Sequence, residues 1–213
     1  MLSKSYCKLR LVLLDFDGTV VDTMSFYTEE AARIISRYTG ISLEEARSFY
    51  RSTVGRAFRE QLRLAGVPSS RLEEAARVFE EWKKKLLVGI ELHPDLVKLI
   101  LLLRRSGLKV FVTTNNECSV VSRAPRLTSV FDKVLCYDKV ERKWKGKPHL
   151  EEILLMGFRL EEVLFVGDSS YDIELYRKLG VKTLRTRGLW DKSDEAYRFL
   201  EELAISRLEK CRT

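Results

Sequence analysis

Asp15 and Asp17 stand two residues apart at the end of an apolar run, in the stretch LVLLDFDGTVVD that spans residues 11–22. Side chains alternate along a strand, so both acids face one side if the strand continues. Two neighbouring carboxylates repel, and each raises the other's pKa unless a cation or hydrogen bonds intervene. A hard divalent ion such as Mg²⁺ resolves that conflict, because it prefers carboxylate and carbonyl oxygens. Gly18 then lets the backbone turn close to a bound group. The competing reading is an ordinary acidic turn, where Asp and Gly are common. Nothing structural, however, requires two acids at the end of a core strand.

The elements that must position these acids follow from hydrophobic periodicity. Residues 11–14 read as a first strand, and 23–92 is wholly helical in pattern. Within that stretch Gly40 and Gly66 stop helices, and Ser42–Glu45 and Ser70–Glu73 read as capping boxes. After His93-Pro94 helices and strands alternate, with strands expected at 108–113, 133–136, 163–166 and 181–185 and a tail helix from about 193. That alternation predicts an α/β fold, a Rossmann-like three-layer core around a parallel sheet. The expected division is a core of 1–22 and 93–213 with a small inserted all-helical cap over 23–92.

Ligands of open parallel sheets bind at the carboxyl ends of the strands. The unusual polar residues fall at those ends: Asp15 and Asp17, then Thr113-Thr114-Asn115-Asn116, then Gly146-Lys147-Pro148, then Gly167-Asp168-Ser169-Ser170-Tyr171-Asp172. Four clusters on one rim predict a single site. Some members have plainer roles open to them. Asn116 can cap a helix at Glu117, Ser169 and Ser170 can cap the next one, and Asp172 can be a first-turn acid favoured by the helix dipole. His93 and His149 flank prolines at helix starts and are poor catalytic candidates.

The octapeptide from Asp15 to Asp22 resembles the first motif of the haloacid dehalogenase superfamily, D-x-D-G-T followed by two hydrophobic residues and Asp. GLKVFVTTN resembles its second motif, with Thr114 as the phosphate-binding hydroxyl and Thr113 a strand residue. Lys147, in GKP, looks like the motif-three lysine, and GDSSYD resembles motif four. The resemblance covers nearly the whole chain. It implies that Asp15 attacks phosphorus and that Asp17 serves as general acid and base. It implies Mg²⁺ as cofactor, bound by Asp15, the Asp17 carbonyl and Asp168, with Asp172 a further candidate ligand. Lys147 then adds positive charge, Thr114 a hydrogen bond, and the amides near Gly18 and Asn115 donate to the phosphoryl oxygens.

The acid at Asp17 favours a phosphatase or phosphomutase over a dehalogenase. The helical insertion resembles the small cap of the phosphoglycolate phosphatase and β-phosphoglucomutase branches, and RSTVGRAF their substrate-contacting loop, with Gly55 and Arg56 the candidate contacts. The expected activity is therefore hydrolysis of small phosphorylated metabolites, phosphoglycolate phosphatase-like, with a β-phosphoglucomutase type of phosphomutase as the alternative. A receiver-like signalling domain also phosphorylates an aspartate at a strand end, but the acid at Asp17 and the cap favour turnover over storage.

Composition sets the remaining bounds. The chain has 213 residues and a formal charge of +7, from 38 basic and 31 acidic residues. Lys and Arg are interleaved with Glu, as in RLEEAARVFEEWKKK, which makes solvated helix faces rather than a nucleic-acid surface. The longest apolar stretch, 96–103, is broken by Lys98, so no membrane association is expected. The start of the chain has no signal-like apolar region, so a cytoplasmic protein is expected, as monomer or homodimer. Gln61 is the single glutamine, and Asn115 and Asn116 are the asparagines, a depletion of labile amides that resembles a thermophile's composition. Cys7, Cys118, Cys136 and Cys211 lack C-x-x-C spacing and read as buried fillers or free thiols, although a disulfide is less improbable in a thermophile.

Overall fold

In the computed structural model, which describes residues 6, 8–122, 125–138, 140, 141 and 143–210, the apolar run before Asp15 forms strand β1 (Leu11–Asp15), buried along its whole length. Burial on both faces is what a central parallel strand requires, and the run is continuous rather than alternating for that reason. β1 pairs in parallel with β2 (Lys109–Glu117) on one side and β4 (Val163–Gly167) on the other. β3 (Lys133–Tyr137) and β5 (Lys182–Arg185) complete a five-stranded parallel sheet of order β3-β2-β1-β4-β5.

The chain divides into two compact units, Met1–Asp22 with Ile90–Thr213, and Thr23–Gly89. In the first unit, Leu11, Leu13, Phe111, Val163 and Phe165 share one sheet face. They pack with Leu150 and Ile153 of α8 (Lys147–Leu155) and Ile173 and Tyr176 of α9 (Ser170–Lys178). Val12, Leu14, Val110, Val112, Leu164 and Val166 are buried on the other face by strand alternation. α5 (Pro94–Arg105) and α10 (Glu195–Lys210) pack together, with Leu96, Leu99, Leu103, Leu200 and Leu203 buried.

β2 runs further than its apolar core suggests. Its pairing with β3 is regular from Phe111 to Thr113, slips, and resumes at Glu117 against Tyr137. Irregular pairing of this kind re-aims side chains, and here it frees Thr114, Asn115 and Asn116 from the ladder. The short helices α6 (Cys118–Val121) and α7 (Pro125–Thr128) follow. Cys118 and Cys136 are joined by a disulfide, Cα to Cα 5.1 Å. That corrects the reading of these two cysteines as fillers or free thiols: the strand order brings the end of β2 beside β3, which no spacing in the chain reveals. Cys7 and Cys211 lie outside the described residues.

The second unit holds α1 (Met24–Thr39), α2 (Leu43–Ser52), α3 (Phe58–Leu64) and α4 (Leu72–Val88) around a core that includes Tyr27, Ile35, Tyr50, Leu62, Ala75 and Phe79. The box at Ser42 is formed: the Glu45 amide donates to Ser42 Oγ, and the Ser42 amide donates to Glu45. Ser70 forms no such box. Residues Ser69–Arg71 make a 3₁₀ turn instead, and α4 begins at Leu72 with no side-chain cap. Among the described residues no helix is long and apolar enough to cross a membrane.

Candidate active site

Asp15 is the last residue of β1 and lies opposite Thr113 of β2. Its Oδ1 accepts the Phe16 amide at 2.8 Å and the Lys145 ammonium at 2.7 Å, so two donors lock the carboxylate's orientation. Lys145 Nζ also lies 2.8 Å from Asp172 Oδ2, and both partners are buried. Asp172 sits in the first turn of α9, which aims it inward at the lysine.

The lysine differs from the one expected. Lys147 is the first residue of α8, its side chain is 73% exposed, and it pairs with Glu151 one turn on. Lys145, with a side chain 7% exposed, is the ammonium at Asp15. The reason lies in Gly146 between them. Its φ of 106° belongs to the region that favours glycine, and a Cβ there would come within 2.9 Å of Leu175. The backbone reverses at this residue, so lysines two apart no longer share a face. The K-x-K pairing was the available signal, and it does not say which lysine goes inward.

Asn116, for which helix capping is the plainer alternative to a place in the rim cluster, takes the latter. Helix α6 has no side-chain cap, and Asn116 Nδ2 instead donates to Asp17 Oδ2 at 2.7 Å. Thr114 is buried and its Oγ1 accepts the Asn116 amide at 3.0 Å, which leaves its own proton unused by that bond. Asn115 Oδ1 accepts the Lys145 amide at 3.1 Å, so its side-chain carbonyl serves the lysine loop. Gly18, with φ 77°, donates its amide to the Val21 carbonyl and turns the chain away after Asp17. Gly55 and Arg56 belong to the helical unit, where Arg56 Nη1 lies 2.6 Å from Glu60.

The electrostatics are lopsided. Asp15, Asp168 and Asp172 gather around one ammonium. Burial pushes the Asp15 carboxyl well above the ordinary range; Lys145 opposes that shift, while Asp172 and Asp168 add to it. Burial likewise raises Asp168 against the pull of Lys145. Burial disfavours the charged form of Lys145, but Asp15 and Asp172 outweigh it and hold the ammonium charged. Among the described residues no donor makes a hydrogen bond of good geometry to either oxygen of Asp172, even though Oδ2 touches the ammonium. A buried carboxylate oxygen without a donor, in a cluster with excess negative charge, is what a cation would satisfy. Among the described residues no three His, Cys, Asp or Glu side chains form a metal cluster by themselves. A site for Mg²⁺ would therefore combine two carboxylates with a main-chain carbonyl, and this ion normally keeps several waters as well.

The chain is similar to known proteins over most of its length. The family model described as haloacid dehalogenase-like hydrolase matches residues 12–186. Pyrophosphatase PpaX of Bacillus mycoides is 24% identical over 204 residues, covering 89% of this chain and 88% of its own length. Phosphoglycolate phosphatase of Aquifex aeolicus is 26% identical over 183 residues, covering 82% and 83%. Among solved structures, the haloacid dehalogenase-like family protein SP0104 from Streptococcus pneumoniae superposes with a TM-score of 0.66 at 18% identity, over 84% of this chain and 85% of its own. By the extent of the family match, this chain belongs to the haloacid dehalogenase-like hydrolases and is an enzyme of that family.

Proposed function

We propose that this enzyme is a Mg²⁺-dependent phosphatase of small phosphorylated metabolites, phosphoglycolate phosphatase-like, that works through an aspartyl-phosphate on Asp15. The observation that carries the reading is the convergence of Asp15, Lys145 and Asp172 within 2.8 Å contacts at the carboxyl end of β1, beside an Asp17 oriented by Asn116.

Phosphate monoester hydrolysis needs up to roughly 10²¹-fold acceleration, and its dianionic substrate repels a carboxylate nucleophile. Positioning and charge neutralisation do most of the work. The carboxylate of Asp15 forms a bond to phosphorus as the ester oxygen departs. Asp17 gives its proton to that leaving alkoxide. It then takes a proton from the water that attacks the same phosphorus, releasing phosphate and restoring Asp15. Lys145 keeps Asp15 oriented and offsets charge, and the Thr114 hydroxyl is available to donate to a phosphoryl oxygen. Asp15, Asp168 and the Asp17 carbonyl would hold Mg²⁺, with Asp172, whose Oδ2 contacts Lys145, as a further candidate ligand through Oδ1. Bound there, the ion supplies the positive charge that keeps the buried carboxylates ionised and draws the phosphoryl group in. Gly55 and Arg56 are our candidates, on sequence grounds, for contacts to the remainder of the substrate.

The test is a screen of phosphorylated metabolites with and without Mg²⁺, using the wild type and Asp15→Asn. Release of phosphate that requires Mg²⁺ and vanishes in a folded Asp15→Asn supports the proposal. Activity that survives exhaustive chelation, or that persists in Asp15→Asn, overturns it.

A further inference from the structure

We propose that Thr113, Tyr176 and His149 form a buried positioning chain that sets the Gly146 peptide and so aims Lys145 at Asp15 and Asp172. The reading of Lys145 as part of a catalytic site rests on the proposed function; the aim of the lysine does not.

The geometry is a continuous line of four hydrogen bonds. The Gly146 amide donates to Tyr176 Oη at 3.2 Å. Tyr176 Oη lies 3.4 Å from Thr113 Oγ1, and Thr113 Oγ1 lies 2.8 Å from His149 Nδ1. His149 Nε2 lies 3.1 Å from the Cys136 carbonyl. Thr113, Tyr176 and His149 are all at most 1% exposed.

The proton positions follow from the partners. A carbonyl can only accept, so Nε2 carries the histidine's proton. Burial pushes the His149 pKa down to about 4, which keeps the ring neutral and makes Nδ1 an acceptor. Thr113 must then donate to Nδ1. Its one proton is spent, so Tyr176 donates to Thr113 Oγ1. Tyr176 in turn has its oxygen open to the Gly146 amide. Burial also pushes the Tyr176 hydroxyl up to about 12, so it retains the proton this order needs. Each group has one hydrogen to give and one role, and reversing any member leaves a buried donor or acceptor unpaired.

The line draws on five parts of the fold: β3 at Cys136, α8 at His149, β2 at Thr113, α9 at Tyr176, and the loop at Gly146. Its end adjoins Lys145. The other side of that residue is held independently, since Asn115 Oδ1 accepts the Lys145 amide. The main chain of the lysine is thus bracketed by a side chain before it and a side chain after it. The ring of Tyr176 stacks on Phe165, centroids 3.9 Å apart, so the hydroxyl is presented by a rigid support. Fixing Lys145 at the backbone matters because a long ammonium side chain has many rotamers, and a misplacement of about 1 Å at a catalytic group can lower turnover on the order of a hundredfold.

Three variants test this: Tyr176→Phe keeps the stacked ring and loses the hydroxyl, Thr113→Val keeps the shape and loses the hydroxyl, and Thr113→Ser keeps the hydroxyl. The readouts are kcat and KM on an aryl phosphate with Mg²⁺, the unfolding midpoint, and the ¹⁵N resonance of Lys145 Nζ in protein labelled at lysine. Tyr176→Phe and Thr113→Val are expected to lower kcat about ten- to a hundredfold at little-changed KM and to shift or broaden the Lys145 resonance. Thr113→Ser is expected to match the wild type in both. A Lys145 resonance unchanged in Tyr176→Phe and Thr113→Val overturns the proposal, whatever happens to activity or midpoint. So does the same shift in Thr113→Ser, because the hydroxyl would not be the agent. If Tyr176→Phe fails to fold, the Thr113 pair decides. A wild type that hydrolyses no phosphate ester would refute the proposed function, and the Lys145 resonance would still decide the positioning chain.

Discussion

Asn116 Nδ2 donates to Asp17 Oδ2 across 2.7 Å, tying the irregular end of β2 to the turn after β1. The bond engages one oxygen of the carboxylate and so orients the group that we propose exchanges a proton with substrate and water. Asn116→Ala should therefore lower kcat more than it raises KM. A hydrogen bond to a charged group contributes roughly 1.5–3 kcal/mol, which corresponds to about a ten- to hundredfold loss. Steady-state kinetics on an aryl phosphate with Mg²⁺ checks this, and wild-type kcat in Asn116→Ala would remove Asp17's proposed orientation by Asn116.

Lys145 and Lys147 should behave as opposites. Removing the Lys145 ammonium leaves Asp15 and Asp172 buried together without their shared cation. Lys145→Met should lower kcat by a factor of about a hundred or more, in keeping with the loss of a buried charge partner. Lys147→Ala loses only an exposed pair with Glu151, and such pairs contribute about 0–1 kcal/mol. Its kcat and unfolding midpoint should stay close to wild type. The reverse pattern would mean that Lys147 is the functional lysine.

His149 predicts a pH dependence of stability. Its pKa is lowered from 6.5 to about 4, chiefly by burial; the Cys136 carbonyl and Glu152 oppose that shift, and Lys145 and Lys143 add to it. Between these values the unfolded chain binds a proton that the folded one does not. The histidine's contribution is complete above about pH 6.5, declines as pH falls, and is gone near pH 4. The loss amounts to about 3 kcal/mol at roughly 1.4 kcal/mol per pKa unit. Denaturation of wild type and His149→Gln across this range isolates the effect: the stability gap between them should narrow as pH falls. A gap independent of pH would contradict the neutral buried ring.

The Cys118–Cys136 disulfide closes a loop with a sequence separation of 18 residues. Chain-entropy arguments assign such a cross-link about 3 kcal/mol. Reductant should lower the denaturant midpoint of the wild type, and the double variant Cys118→Ser with Cys136→Ser should start at the lower midpoint and not respond. Equal midpoints with and without reductant, under conditions where free thiols are shown to form, would argue that the bond does not contribute to stability.

The elements around the site were readable from the chain because each leaves a local mark. The apolar run before Asp15 marks a strand buried on both faces, Gly40 ends α1 with its amide on the Ser36 carbonyl, and Ser42 and Glu45 cap α2 through their own side chains. Strands alternating with helices after Pro94 imply a parallel sheet, because parallel strands need long crossovers. What stayed hidden depends on contacts between residues far apart in sequence. Which of two lysines turns inward is decided by the reversal at Gly146, packed against Leu175 of α9. Asn116 could cap a helix or hold Asp17, and only the slipped register of β2 against β3 selects the second. Cys136 meets Cys118, and Thr113 meets His149 and Tyr176, because the strand order places β3 beside β2 and both faces of the sheet are covered. Local periodicity records which face of an element is apolar. It carries no information on which polar side chains will share a buried space, since that is set by register and packing across 30 to 130 residues.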